Sequence, residues 1–163
     1  MLNLIDIKYK KWISAISYTL FIIYIIIAVI LLFLSPYRQA AYEINSAGSN
    51  PDNIIPFKTI TDYIKASSHI NKNIWMSNLF GNVLAFFPLG IFLPWLFKRL
   101  MGFWRTTSTV FLATSSVEIL QFATRVGSFD IDDIILNTIG GAIGYLLIKI
   151  IYLLLFKEKT HVR

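Results

Sequence analysis

The sequence contains no cysteine, so disulfides, thiol chemistry and cysteine-ligated zinc or iron–sulfur sites are excluded. Two histidines are present, His69 and His161, and neither has a metal-ligand partner at a useful spacing. The chain also has no Ser-His-Asp order and no phosphate-binding glycine loop. We therefore expect no metal and no cofactor, and any chemistry would depend on carboxylates, amides and arginine.

Charge is also scarce, since 15% of the residues are charged whereas 56% are hydrophobic. A soluble domain of this length does not carry so many unbroken apolar runs. Fifteen basic residues face nine acidic ones, which gives a formal charge of +6, but the basic residues flank the apolar runs and form no single stripe. This distribution indicates membrane topology and argues against a nucleic-acid partner.

Four apolar runs predict four membrane-spanning helices in a single membrane domain, residues 1–163. They cover approximately residues 12–34, 76–97, 106–123 and 131–156. The first run reaches about 34 Å as a helix, which is enough to cross a hydrocarbon core of about 30 Å. The third run is the least apolar, and its many threonines and serines predict a position inside the bundle. The expected fold class is all-α, an integral membrane four-helix bundle.

The basic residues predict the orientation of this bundle. They fall before the first run, between the second and third runs, and at the end of the chain: Lys8, Lys10, Lys11, Lys98, Arg99, Arg105, Lys157, Lys159 and Arg163. By the positive-inside rule, both termini are cytoplasmic and residues 35–75 form a long extracellular loop. In this loop Phe57, Ile60 and Ile64 recur at helical spacing, which predicts either an interfacial helix on the membrane or an ordinary loop helix.

Polar residues within the predicted spans are the strongest functional signal, because each charge costs roughly 2.5–3.5 kcal/mol to insert. Glu118, Gln121 and Arg125 share one face of the third helix, at its outer end. The first turns of the second and fourth helices add Asn78, Asn82, Asp130, Asp132, Asp133 and Asn137 at the same depth. We predict that these groups converge into one outward-opening pocket. Within it Arg125 could neutralise Glu118 or hold a phosphate, or it could snorkel to the interface.

Several of these residues also have a structural interpretation. Asp130 could cap the fourth helix, with Asp133 in its first turn. Asp132 points about 100° away from Asp133 on a helix, so we expect it to be a solvated acid at the interface. Asn78 and Asn82 could form hydrogen bonds between helices.

Longer motifs support a family assignment. The second run reads Asn82-Val-Leu-Ala-Phe-Phe-Pro88-Leu-Gly90, which resembles the N-x-x-x-F-x-P-x-G signature of the VanZ-like family. Two further segments are similar to that family's E-x-x-Q-F and D-x-x-D-x-x-x-N-x-x-G-G-x-x-G pattern: Glu118-x-x-Gln121-Phe122 and Asp130-x-x-Asp133-x-x-x-Asn137-x-x-Gly140-Gly141-x-x-Gly144. Asn53-Ile-Ile-Pro56-Phe57 is similar to a Pro-Phe element before the second span. The resemblance covers approximately residues 53–147.

The resemblance implies a small multi-pass protein of the bacterial cell membrane, in the Gram-positive cell envelope. Named members of the family are associated with reduced susceptibility to teicoplanin and related lipoglycopeptides. The outward pocket would engage membrane lipids, a lipid-linked envelope precursor or the lipoglycopeptide itself. Its expected binding residues are Asn82, Gln121, Arg125, Asp130 and Asn137.

Two other functions stay open at this point. The first is an intramembrane enzyme acting on an envelope lipid or a lipid-linked precursor, with Glu118 and Asp133 as the catalytic acid and base. The second is a proton-coupled carrier. A homo-oligomer is also expected as a possibility, with Gly140 and Gly144 providing a GxxxG face for close helix packing.

Overall fold

The computed structural model describes residues 2–34, 52–66 and 72–156. Within these residues the chain forms five α-helices and no β-strand. The helices are α1 (Leu2–Phe33), α2 (Lys58–Ala66), α3 (Lys72–Leu96), α4 (Phe103–Thr124) and α5 (Ile131–Phe156), and a 3-10 helix (Lys98–Leu100) joins α3 to α4. The predicted all-α class is confirmed, and each predicted run coincides with a long helix. The basic tail (Lys157, Lys159 and Arg163), both histidines and residues 35–51 of the predicted loop lie outside the described residues.

Three of the helices are long and apolar enough to cross a membrane, at Tyr9–Phe33, Asn78–Leu96 and Ile131–Leu154. The sequence predicts a fourth span in α4. This helix has 22 residues, but its many threonines and serines make it less apolar than the other three. A crossing by α4, and with it the four-helix bundle with both termini cytoplasmic, therefore stays a prediction.

Among the helices that the structure describes, α3 and α5 form the most extensive contact, because glycines let their backbones approach closely. A Cβ atom at Gly140 or Gly144 would overlap a carbonyl oxygen of α3, that of Val83 or Phe87 respectively. Gly90 of α3 meets the backbone of α5 in the same way. The close approach predicted from the glycine spacing is confirmed. Its partner is α3 of the same chain, so these glycines are already used for packing within the chain, and a homo-oligomer stays a prediction.

Helix α1 packs on α3 through aromatic side chains. The ring of Phe92 lies 5.5 Å from that of Phe21 and 5.9 Å from that of Tyr24, measured between centroids. The Tyr24 hydroxyl donates to the carbonyl oxygen of Ala85 at 2.8 Å, in the turn that precedes Pro88. A neighbouring helix thus supplies a hydrogen bond where proline disturbs α3, as proline-containing spans require.

A buried apolar core lies at the middle of the bundle. Its members are Phe86, Leu89 and Leu93 of α3 and Val110 of α4. Along α3 they follow Asn82 by one to three helical turns. The core therefore separates two ends of the molecule. We call the end near Asn82, Glu118 and the start of α5 the polar end. The opposite end, which carries Lys98 and Arg99 between α3 and α4, is the basic end.

The helix predicted within the outer loop is present as α2 and lies at the polar end against α3 and α5. Phe57 precedes it with a φ of 64°, in the left-handed region that non-glycine residues rarely adopt. Phe57 and Ile64 are exposed. That α2 rests on a membrane surface stays a prediction.

Candidate functional site

Asn82 and Asp133 connect α3 to α5 at the polar end. Asn82 is 8% exposed, and its Nδ2 donates a hydrogen bond to Oδ1 of Asp133. A buried amide without a partner would be costly in apolar surroundings, so this bond fixes the register of the two helices. It is also the inter-helical bond that the sequence predicted for Asn82.

Glu118 connects α4 to the start of α5. Its side chain is 1% exposed, and its Oε2 accepts a hydrogen bond from the backbone N–H of Asp130 at 3.2 Å. The N-terminal N–H groups of a helix have no partner within the helix and carry a partial positive charge. A carboxylate is therefore well placed here, and two predicted site residues meet directly.

Asp130 caps α5, as one of its two interpretations predicted. Its Oδ1 accepts from the backbone N–H of Asp132 at 2.8 Å, which is the bond of a helix N-cap. The same oxygen accepts from Asn53 Nδ2 at 3.0 Å, and Oδ2 accepts from the Thr59 hydroxyl at 2.7 Å. The carboxylate therefore joins α5 to the segment that contains α2.

Asp132 is buried, so the expectation that it is a solvated acid is wrong. Its side chain is fully buried, and its two oxygens accept from the backbone N–H groups of Phe57 at 2.5 Å and Ile60 at 3.1 Å. These N–H groups belong to the start of α2, so Asp132 caps α2 from another helix. The helical angle between Asp132 and Asp133 could not reveal this, because residues 52–66 fold back over α5 and cover Asp132.

The chain around Asn53 lies alongside the start of α5. The N–H of Asn53 donates to the carbonyl oxygen of Phe129 at 2.7 Å, and the N–H of Ile131 donates to that of Asn53 at 3.0 Å. Oδ1 of Asp52 accepts from the N–H of Phe129 at 3.0 Å. Asn53 is missing from the predicted site because no periodicity links it to a residue 77 positions away. Its place in the Pro-Phe element was the one signal available.

Asn137 lies one turn deeper than Asp133, between α5 and α4. It is 2% exposed, and its Nδ2 donates to the hydroxyl of Thr114 at 2.7 Å. Its Oδ1 is buried and has no hydrogen-bond donor within the described part of the chain. Thr114 is also missing from the predicted site, although its position four residues before Glu118 puts it on the same helical face.

Gln121 faces α1 and not the acids. Its side chain is fully buried, and its Nε2 donates to the carbonyl oxygen of Leu32 at 2.8 Å. Leu32 lies in the last turn of α1, where carbonyl groups have no partner in their own helix. Gln121 therefore anchors the end of α1 to α4.

Arg125 ends α4 in the left-handed conformation, with a φ of 57°. Its side chain is exposed, and among the residues that the structure describes it forms no ion pair with a carboxylate. The direct contact with Glu118 considered from the sequence is thus absent from the described structure. The guanidinium group lies at the polar end and is open to solvent or to a ligand.

Hydrogen bonds from α3, α4, α5 and the segment of residues 52–66 thus meet around the start of α5. The oxygens of Asp130 and Asp132 are engaged by donors of that segment and of α5 itself. No group of three or more His, Asp or Glu side chains in residues 2–34, 52–66 and 72–156 is arranged to hold a metal ion. An open pocket at this place, and catalytic roles for Glu118 and Asp133, stay predictions.

Comparison with known proteins adds three findings. The family model VanZ/LLP1 matches residues 21–153 of the chain. Protein VanZ from Enterococcus faecium is 38% identical over 66 residues, which are 40% of this chain and 40% of that protein. The match therefore spans less than half of the relative's length. No solved structure matches the chain.

Proposed function

We propose that this chain, which belongs to the VanZ/LLP1 family, is a multi-pass protein of the cell membrane. In this proposal it lowers susceptibility to teicoplanin-type lipoglycopeptides. The local identity to Protein VanZ supports this assignment. In this proposal the polar end faces outward, since the positive-inside rule assigns the basic end to the cytoplasm. The polar end would bind the head group of a lipid-linked envelope precursor, or the antibiotic itself.

The observation that supports this site is the pair of hydrogen bonds between Asn82 and Asp133 and between Glu118 and the Asp130 N–H. Three helices are locked together by polar groups that are expensive to keep in a membrane. Groups that are already fixed lose little conformational entropy when a ligand binds. A rigid polar surface of this kind suits recognition of a polar head group.

Arg125 is the residue that we propose contacts the ligand. A guanidinium group can donate two parallel hydrogen bonds to a phosphate or a carboxylate, which are the anionic groups of envelope precursors. Its exposure, and the absence of an ion pair among the described residues, support this role.

The test is expression of the chain in a susceptible Gram-positive host. We expect a higher inhibitory concentration of teicoplanin. Unchanged susceptibility to teicoplanin and to vancomycin, at a verified protein level in the membrane, would contradict the proposal.

Arg125 allows a matched pair of variants in this assay. Arg125→Gly removes the guanidinium group and suits the left-handed backbone at this position, so the fold is retained. We expect Arg125→Gly to lose most of the protection and Arg125→Lys to keep part of it. Full protection with Arg125→Gly would remove this residue from the site.

An intramembrane enzyme is the second candidate, favoured by one observation. Glu118 is a carboxylate buried from solvent, and Asp133 lies at the same end of the bundle on another helix. Glu118→Gln removes the acid but keeps an oxygen that can accept a hydrogen bond from the Asp130 N–H. Asp133→Asn likewise removes the acid but keeps an oxygen that can accept from Asn82. Lipid analysis of cells with either variant tests this candidate. A lipid species gained or lost relative to the parent supports an enzyme, and an unchanged lipid profile supports binding alone.

The proton-coupled carrier has weaker support. Such a protein needs a continuous polar path across the membrane. The core of Phe86, Leu89, Leu93 and Val110 lies directly below the polar end and is apolar. We therefore do not adopt this function.

A further inference from the structure

We propose that the basic end carries a binding site for one anionic phospholipid, formed by a groove between α3 and α5. The groove has a volume of about 430 Å³ and lies between the end of α3 and the C-terminal half of α5. Trp95, Ile148 and Leu153 contribute to its apolar lining, and Lys98 and Lys149 lie beside them. One acyl chain lies in the groove, and the two lysines hold the phosphate. This site is separate from the polar end and does not depend on the function proposed there.

The apolar lining suits an acyl chain. Trp95 is 50% exposed and Leu153 is 51% exposed, so the lining faces outward from the bundle. The indole N–H of Trp95 donates to the hydroxyl of Ser17 at 3.1 Å, and that hydroxyl donates to the carbonyl oxygen of Ile13 at 2.8 Å. These bonds hold the ring between α1 and α3, so the groove has a fixed wall. A concave apolar surface with a few fixed polar groups is typical of a small-molecule site.

The charge beside the groove selects an anionic head group. Lys98 and Lys149 are exposed, and neither forms an ion pair within the described segments. Among residues 9–34, 52–66 and 72–156, the carboxylates all belong to the polar end or to the segment bound to it: Asp52, Asp62, Glu118, Asp130, Asp132 and Asp133. A lysine on a flexible stem is a common phosphate ligand. Basic pockets between membrane helices on the cytoplasmic side bind phospholipid head groups in this way.

Other basic residues near this end provide a contrast. Lys11 and Arg99 are exposed there but do not line the groove. Any cation close to the membrane surface attracts anionic lipid in a general way. A defined site predicts more than this, namely that removal of the groove lysines has a larger effect than removal of Lys11 and Arg99.

Quenching of Trp95 fluorescence by brominated lipids tests the site. The full-length chain, with Trp12, Trp75 and Trp104 replaced by Phe, is placed in phosphatidylcholine vesicles. Phosphatidylglycerol or phosphatidylcholine with brominated acyl chains is added at equal mole fraction. We expect brominated phosphatidylglycerol to quench Trp95 more strongly. The relative binding constant, anionic over zwitterionic, should fall about fivefold for each lysine lost, or about 25-fold in Lys98→Gln/Lys149→Gln.

Two control variants distinguish this site from general attraction. Lys11→Gln/Arg99→Gln removes the same charge at the same end and should lower the preference by clearly less than the groove pair does. Lys98→Arg/Lys149→Arg keeps the charge and should retain it. Equal quenching by the two lipids in the starting protein would overturn the proposal, as would an equal loss in both glutamine pairs. If circular dichroism shows that the groove double variant does not fold, the single variants Lys98→Gln and Lys149→Gln decide the matter, each with its own fivefold loss expected.

Discussion

The two ends of the molecule use charge in opposite ways. At the polar end, Glu118 and Asp132 are buried, and their carboxylates accept backbone hydrogen bonds at the starts of α5 and α2. At the basic end, Lys98 and Lys149 are exposed beside an apolar groove. A buried charge is tolerated only when its hydrogen bonds are satisfied, whereas an exposed charge contributes little to stability. The polar end therefore uses its charges to hold the fold, and the basic end presents its charges to the surroundings.

The largest expected effect is at Asp132. Asp132→Ala removes a fully buried acceptor from the N–H groups of Phe57 and Ile60, so we expect the free energy of unfolding in detergent micelles to fall by about 3 kcal/mol. Hydrogen exchange should accelerate at the amides of residues 57–66 and stay slow in the middle of α3.

Asp62 provides the control for this prediction. It is an exposed acid of α2 that pairs with Lys58 at 3.0 Å. Asp62→Ala should cost less than about 0.5 kcal/mol, because exposed pairs four residues apart on a helix contribute little. Equal losses in Asp132→Ala and Asp62→Ala would remove the contrast between buried and exposed charge.

The next largest effect is expected where glycines let α3 and α5 pack closely. Gly140→Ala places a Cβ against the carbonyl oxygen of Val83, so α3 and α5 must separate, at a cost of about 2 kcal/mol. Gly81→Ala is the matched control, since a Cβ there meets nothing within 4 Å. In a helix that substitution should stabilise the protein by up to about 1 kcal/mol. Thermal unfolding of the two variants should therefore shift in opposite directions, and shifts of the same sign would contradict the packing described here.

The smallest effect is expected at the basic end. Lys98→Gln/Lys149→Gln should change the free energy of unfolding by less than about 0.5 kcal/mol, because both side chains are exposed. Denaturant unfolding in lipid-free detergent measures this. A loss comparable to that of Asp132→Ala would show that these lysines are structural, and the comparison between the ends would fail.

The helices could be predicted from the sequence because each is a long apolar run with polar flanks. The predicted run 131–156 has the same bounds as α5, and the cap at Asp130 follows from its position directly before the run. Such features depend on neighbouring residues alone. The same is true of the helical face shared by Glu118 and Thr114.

The remaining features depend on contacts between distant parts of the chain. The sequence showed that Gly140 permits close packing, but not that α3 of the same chain would be its neighbour. Asp132 was expected to be solvated because nothing in its local pattern indicates α2. Gln121 shared a face with Glu118, yet a neighbouring helix end determined its partner, Leu32. Periodicity gives the face of a helix, whereas the identity of the facing element needs the fold.

The central claim is that polar residues from separate helices share one hydrogen-bonded site. A double-mutant cycle on Asn82→Ala and Asp133→Ala, measured by denaturant unfolding in micelles, tests it most directly. We predict a coupling free energy of about 1 kcal/mol or more, and none beyond about 0.5 kcal/mol for Asp133→Ala combined with Ser17→Ala at the basic end. Additive losses for Asn82 and Asp133, equal to those of the control cycle, would contradict the shared site.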